Sequence, residues 1–159
     1  MDTHYVGKSV PRLDGPDKVT GRAVYSVDVE MLGMLHGAVL RSPCAHARVV
    51  EIDLTEVKRS PGVRVAVTGK DVPYTFGSTI KDQPFLAYDR IRFVGEPVVA
   101  VAAETEFQAQ EALAKVRVRY EELPAVFDPR DALLARAPVL HPGLADYPRP
   151  GQYEVIPGT

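Results

Sequence analysis

Residues 97–120 read PVVAVAAETEFQAQEALAKVRVRY, and the fold turns on this stretch. Its first eight residues, through Glu104, form a nearly unbroken apolar run, which predicts a buried strand. Thr105 and Gln108 then stand at capping-box spacing. The Thr oxygen can accept from a free amide of the first turn while the Gln side chain reaches back. Ala109, Ala112, Leu113 and Val116 follow at i, i+3, i+4 and i+7, the apolar stripe of a helix of about three turns. From Val116 the period becomes two, with Val116, Val118 and Tyr120 alternating against Arg117 and Arg119. Strand, helix and strand in this order predict a βαβ unit, right-handed and with parallel strands.

Toward the N-terminus, AVYSVDV (23–29) alternates and predicts another strand. MLHGAVLRS (34–42) is a short apolar run and ARVVEIDL (47–54) a further strand candidate. TEVKRS (55–60) reads as a short helix stopped by Pro61 and Gly62. In VRVAV (63–67), Val63, Val65 and Val67 oppose Arg64 and Ala66. Residues 69–89, with Gly69, Pro73, Gly77 and Pro84, predict a long ordered loop. RIRF (90–93) is a strand divided from the next by Gly95-Glu96-Pro97. Hairpin-like early strands and a late helical crossover favour an α+β fold, a mixed sheet with one main helix. The expected organisation is an extended arm over 1–21, a domain over 22–138, and a Pro/Gly-rich linker over 139–159 that ends before another element.

At 159 residues the chain can bury one sizeable core. Hydrophobic content is 45% and charged content 25%, ordinary for a globular protein. A net charge of −2 with both signs interspersed gives no electrostatic footprint for nucleic acid or an anionic membrane. One cysteine excludes an intrachain disulfide and a Cys-rich zinc site. The N-terminal stretch lacks the apolar segment of a signal peptide, and no run approaches the ~20 apolar residues of a membrane span. Together these predict a soluble cytoplasmic protein.

The chemical motifs are thin. In RSPCAHAR (41–48), Cys44 and His46 stand at i and i+2 and would share a face of a strand. A thiolate–imidazole pair is then conceivable, but no Asp or Asn lies nearby to orient the ring. His4, His36 and His141 show no metal-ligand spacing. Gly7-Lys8-Ser9 resembles the end of a phosphate loop, but position 2 is Asp2 where that loop needs glycine. Glu121 and Glu122, adjacent in a strand, point to opposite faces and cannot work as a pair. Arg90, Arg92, Arg117 and Arg119 mark the polar sides of two strands, facing either solvent or another protein surface.

RLDGPDKVTGRAVYSVDV, RSPCAHARV, PGVRVAVTGKDVP, DRIRFVGEPVVAVAAET and VRVRYEELPAVFDPRDAL occur in this order. Together they resemble the N-terminal α/β-hammerhead domain of the molybdenum-binding large subunit in the xanthine dehydrogenase and aldehyde oxidase family. That family includes 4-hydroxybenzoyl-CoA reductase, carbon monoxide dehydrogenase and nicotine dehydrogenase, and the resemblance spans about residues 7–159. It implies an α+β hammerhead fold and an enzyme that hydroxylates, or reductively dehydroxylates, small substrates. It implies a molybdenum–pterin centre, in bacteria molybdopterin cytosine dinucleotide, with [2Fe–2S] clusters and FAD on other domains or subunits. The family's pterin-contacting and catalytic residues lie beyond the matched region, so no catalytic, cofactor or metal residue transfers to this chain. The expected partners are the remainder of the large subunit and the iron–sulfur and flavin subunits or domains. DQPFLAYD (82–89) lies where family members place side chains near the substrate funnel, which marks Phe85 and Leu86 as substrate-channel candidates. The reading that follows is a non-catalytic scaffold, inactive alone, that helps to shape substrate access. The alternative is a free-standing hammerhead binding or assembly module.

Overall fold

A computed structural model of the chain describes residues 4–78 and 80–141. Two compact units divide between Met34 and Leu35. Most of the predicted 139–159 linker lies outside the described residues.

The described part of the first unit holds a short helix, α1 (Gly15–Val19), with proline in its first turn, and a single 3₁₀ turn over Ser26–Asp28. None of its described residues is buried. The strand predicted over 23–29 does not form. Instead the Asp28 carboxylate accepts from the Tyr25 amide at 2.9 Å, and the Asp28 amide donates to the Tyr25 carbonyl at 2.9 Å. Alternation alone does not make a strand; a neighbouring strand must take up the ladder hydrogen bonds, and here a local turn takes them instead.

The second unit carries β1 (His36–Arg41), β2 (Ala47–Asp53), α2 (Thr55–Lys58), β3 (Val63–Thr68), β4 (Thr75–Phe76), β5 (Gln83–Pro84), β6 (Arg90–Ile91), β7 (Pro97–Ala103), α3 (Glu106–Leu113) and β8 (Arg117–Glu122). One sheet has the order β1-β7-β3, a second β6-β2-β8, and β4-β5 form a ribbon. Every pairing among the described residues is antiparallel.

The opening strand–helix–strand is therefore present in order but not as a parallel βαβ unit. Both edges of β7 are occupied, by β1 and β3. β8 pairs instead with β2, where Arg48, Glu51 and Asp53 lie opposite Glu121, Arg119 and Arg117. Three opposite-charge pairs in register favour that partner. The exposed arginine face of β8 also suits a half-solvated antiparallel sheet rather than a doubly covered parallel one.

The core gathers residues of both three-stranded sheets and both helices, with Val49, Val57, Ile91, Val98, Val99 and Ala112 at its centre. A smaller cluster of Ala38, Ala103 and Ala109 lets α3 lie close on β1 and β7. Thr105 caps α3 as expected, its hydroxyl accepting from the Gln108 amide at 3.2 Å. The reciprocal half of the box is absent: Gln108 Oε1 has no hydrogen-bond partner among the described residues, and the side chain lies over Gly62 instead. The inward face of β3 also departs from simple alternation. A bulge between Val63 and Val65 adds a residue, so Val63 and Ala66 pack on the core while Val65 is exposed.

Candidate functional site

The chain 82–97 folds around a cleft of about 550 Å³. Phe76, Phe85 and Phe93 line it together with Asp82, Glu96 and His141. The β4-β5 ribbon brings the Phe76 and Phe85 rings to 4.9 Å between centroids. Leu86 turns the other way. It is only 6% exposed, and the next amide, Ala87 N–H, donates to the Pro97 carbonyl at 2.7 Å. Of the two channel candidates, Phe85 stands at the cleft wall and Leu86 is buried.

The GEP turn supplies the floor. Gly95 adopts φ +88°, a left-handed conformation that favours glycine. Its amide donates to the Ser42 carbonyl at 2.8 Å, and the Ser42 amide donates to the Glu96 carbonyl at 2.9 Å. Arg41 Nη1 donates to the Gly95 carbonyl at 2.9 Å. The start of RSPCAHAR is thus tied to this turn. Glu96 is 2% exposed; its Oε2 accepts from the Arg92 amide at 2.6 Å, and its Oε1 lies 3.4 Å from Arg92 Nη1. Burial is the largest influence on this carboxyl and pushes it above its ordinary range, against the hydrogen bond and charge of Arg92. Arg92 also donates to the Arg90 carbonyl at 3.0 Å. It is therefore half of a buried pair, not part of a solvent face. Arg117 and Arg119 remain exposed, paired with Glu56 at 3.0 Å and Glu51 at 3.5 Å.

Cys44 and His46 lie in the connection between β1 and β2 rather than in a strand. The Cys44 amide donates to the Ser42 hydroxyl at 3.0 Å, and the half-buried thiol side chain packs on the core. His46 is buried, with Nδ1 2.6 Å from the Pro124 carbonyl, and Arg48 pairs with Glu121 at 3.4 Å. His141 stands 4.0 Å from Asp82. Among the described residues, no group of three or more His, Cys, Asp or Glu is placed to hold a metal ion. The donor set does not fit a molybdenum site, and no step of metal chemistry is assigned to this chain. No described helix is long and apolar enough to cross a membrane.

Residues 20–124 match the family model for the aldehyde oxidase and xanthine dehydrogenase a/b hammerhead domain. The chain belongs to this family. It is 46% identical over 132 residues to a probable xanthine dehydrogenase subunit of Bacillus subtilis (strain 168), a match covering 82% of this chain and 18% of that protein. It is 35% identical over 142 residues to the nicotinate dehydrogenase large molybdopterin subunit of Eubacterium barkeri, covering 88% of this chain and 33% of the relative. The crystal structure of quinoline 2-oxidoreductase from Pseudomonas putida 86 superposes with a TM-score of 0.74 at 40% identity, over 82% of this chain and 18% of that one. These relatives are oxidoreductase subunits, and the chain spans between 18% and 33% of their length. The small antiparallel sheets and few helices are those of a hammerhead domain.

What the sequence missed was the role of Glu96 and Arg92. The signal was there: a glutamate enclosed between glycine and proline, directly before a strand that is apolar on both faces.

Proposed function

We propose that this chain is the non-catalytic N-terminal part of a molybdenum-dependent hydroxylase, inactive alone. It assembles in the cytoplasm with the molybdopterin-binding remainder of the large subunit and with iron–sulfur and flavin partners. The assembled enzyme would use molybdopterin cytosine dinucleotide, [2Fe–2S] clusters and FAD, all held outside this chain. The contribution of this chain is to pack on the cofactor-bearing part and to line the substrate approach with Phe85.

The observation that carries this reading is the aromatic cleft on a domain that spans only part of its relatives. Phe76, Phe85 and Phe93 offer an apolar wall that is costly to leave in water. Glu96 and Arg92 fix the turn that carries Phe93. Leu86 anchors the same loop from the core side. In this division Phe85 meets the ligand and Leu86 holds the loop.

Co-expression of the chain with the remainder of a large subunit tests the reading. A stoichiometric complex that contains molybdenum and turns over substrate is the expected result. A chain that stays monomeric beside a fully active remainder would point to the free-standing module instead.

A further inference from the structure

Among the described residues Phe127 is the most exposed phenylalanine, at 84%. It lines two clefts at once. One, of about 220 Å³, is also lined by Phe93, Val94 and Leu140. The other, of about 360 Å³, is also lined by Leu134 and Pro138. Ala125 and Val126 belong to both as well, so the two clefts adjoin and form one strip. Phe93 and Val94 are themselves 54% and 62% exposed. The charge next to Phe127 is balanced within the chain, Asp128 pairing with Arg130 at 3.4 Å. What the strip offers a partner is therefore mainly apolar surface.

Its extent matters. At about 200 Å² for a whole phenylalanine, Phe93 and Phe127 alone leave roughly 280 Å² in water. Val94 and Leu134 bring the strip into the range of about 300–600 Å² in which a contiguous apolar patch marks an interaction site. Both of its banks are held in place. The turn that carries Phe93 and Val94 is tied at Gly95, whose amide donates to the Ser42 carbonyl at 2.8 Å. Residues 125–127 lie between the Leu123 amide, which donates to the His46 carbonyl at 2.9 Å, and Asp128, whose carboxylate accepts from the Arg130 amide at 2.7 Å. A face ordered before it binds loses little conformational entropy in binding.

We infer that the strip from Phe93 through Phe127 to Leu134 is the face on which the remainder of the large subunit docks, through an apolar ridge of large side chains seated beside Phe127. The inference rests on the reading that the chain assembles with that remainder. Two observations choose this occupant. The match covers 18% of one relative and 33% of another, so in them this domain is one part of a longer polypeptide. The described chain also ends on this face: Leu140 lines the cleft of Phe93 and Phe127, so the polypeptide that continues past residue 141 is joined to the domain here. Phe93 lines the aromatic cleft of Phe76 and Phe85 too, so a partner seated on the strip borders the substrate approach.

The test uses the co-expressed complex, diluted and read by native mass spectrometry to give Kd. Phe127→Asp puts a charge at the centre of the strip and is expected to weaken Kd by roughly tenfold or more, with an unchanged unfolding midpoint of the separate chain. Val94→Asp, at a second exposed position of the strip, is expected to act in the same direction. Phe107→Asp is the control: its ring is 70% exposed on α3, outside the strip, and Kd should not change. If the wild-type complex forms and both strip variants bind as tightly as wild type, the docking face is overturned while the assembly reading stands. A Phe107→Asp variant that weakens Kd as much as Phe127→Asp overturns it too, because the effect would then belong to any added surface charge. If Phe127→Asp lowers the unfolding midpoint, Val94→Asp decides. Absence of any wild-type complex overturns both readings. Self-association of the separate chain that Phe127→Asp abolishes would assign the strip to a second copy and overturn the inference.

Discussion

Substituting Gly69 by alanine places a methyl group against the backbone of the segment that carries the channel candidates. The added Cβ would lie within overlap distance of the Leu86 carbonyl oxygen and 2.8 Å from Tyr88 Cδ1. The Tyr88 ring edge would have to recede by about 0.6 Å to reach the 3.4 Å at which ordinary contact begins, and the carbonyl by more. Neither side yields easily. The turn after β3 is held by Asp71, whose carboxylate accepts from both the amide and the hydroxyl of Thr68 at 2.8 Å. The opposing segment is held by the Ala87 amide on the Pro97 carbonyl at 2.7 Å. Overpacking of this kind costs about 1–3 kcal/mol. With a urea dependence of roughly 2 kcal/mol per molar for a domain of this size, the midpoint should fall by about 1 M. Gly37→Ala is the control, because nothing lies within 4 Å of its added Cβ and its φ is not positive. Both variants remove the same backbone freedom from the unfolded chain, so their difference isolates the contact. Equal urea midpoints for the two would refute the close approach of Gly69 to Leu86. It would also remove the argument that the loop is rigidly seated.

Phe85→Ala should raise KM in the assembled enzyme while costing little stability, since the ring is half exposed; steady-state kinetics beside thermal unfolding separate the two. Leu86→Ala should do the reverse, losing about 2–5 kcal/mol of stability from a buried site, read by urea titration. Glu96→Gln probes the buried carboxyl. Its folded pKa is raised, so the native state holds the proton more tightly than the unfolded chain, and its contribution is present at low pH and lost as pH rises through the raised value. The stability of wild type minus Glu96→Gln should therefore decrease as pH rises above the ordinary carboxyl value of about 4.5, measured by urea titration at each pH; a flat difference would show that Glu96 is not held above its ordinary range. Cys44→Ser should leave turnover of the assembled enzyme intact, checked by activity of the purified variant complex, because the thiol packs on the core beside a histidine already committed to Pro124.

The elements of the second unit were readable where a local pattern and its burial agreed. The apolar run of β7, the capped α3 with Ala109 and Ala112 inward, and the alternation of β8 all stand where their side chains predicted. The misreadings share one cause, which is that pairing is not a local property. The alternation of 23–29 met no partner strand among the described residues and became a turn through Asp28. In β3 a single inserted residue moved the inward face from Val65 to Ala66, which no window of five residues can reveal. The capping box failed in half because Gln108 found the surface of Gly62, 46 residues away, rather than its own helix start.

The candidate site follows the same logic one level higher. Phe85 and Leu86 are adjacent apolar residues in a predicted loop, and the sequence offers no reason to separate them. The fold separates them by hydrogen-bonding the next residue, Ala87, to the strand start at Pro97, which turns Leu86 inward and leaves Phe85 beside Phe76. The opposite-charge pairs of β2 and β8, with Arg48, Glu51 and Asp53 against Glu121, Arg119 and Arg117, line up only through an irregularity between Val49 and Glu51, so this antiparallel match was no more readable locally than the inserted residue of β3. Given that register, β8 must leave the sheet of β7, and α3 becomes a bridge between two sheets instead of a crossover within one. That displacement carries the chain after β8 to the β1–β2 connection, where the Leu123 amide meets the His46 carbonyl at 2.9 Å and Pro124 meets the His46 ring. The register of one strand pair thus decides where the buried histidine finds its partner.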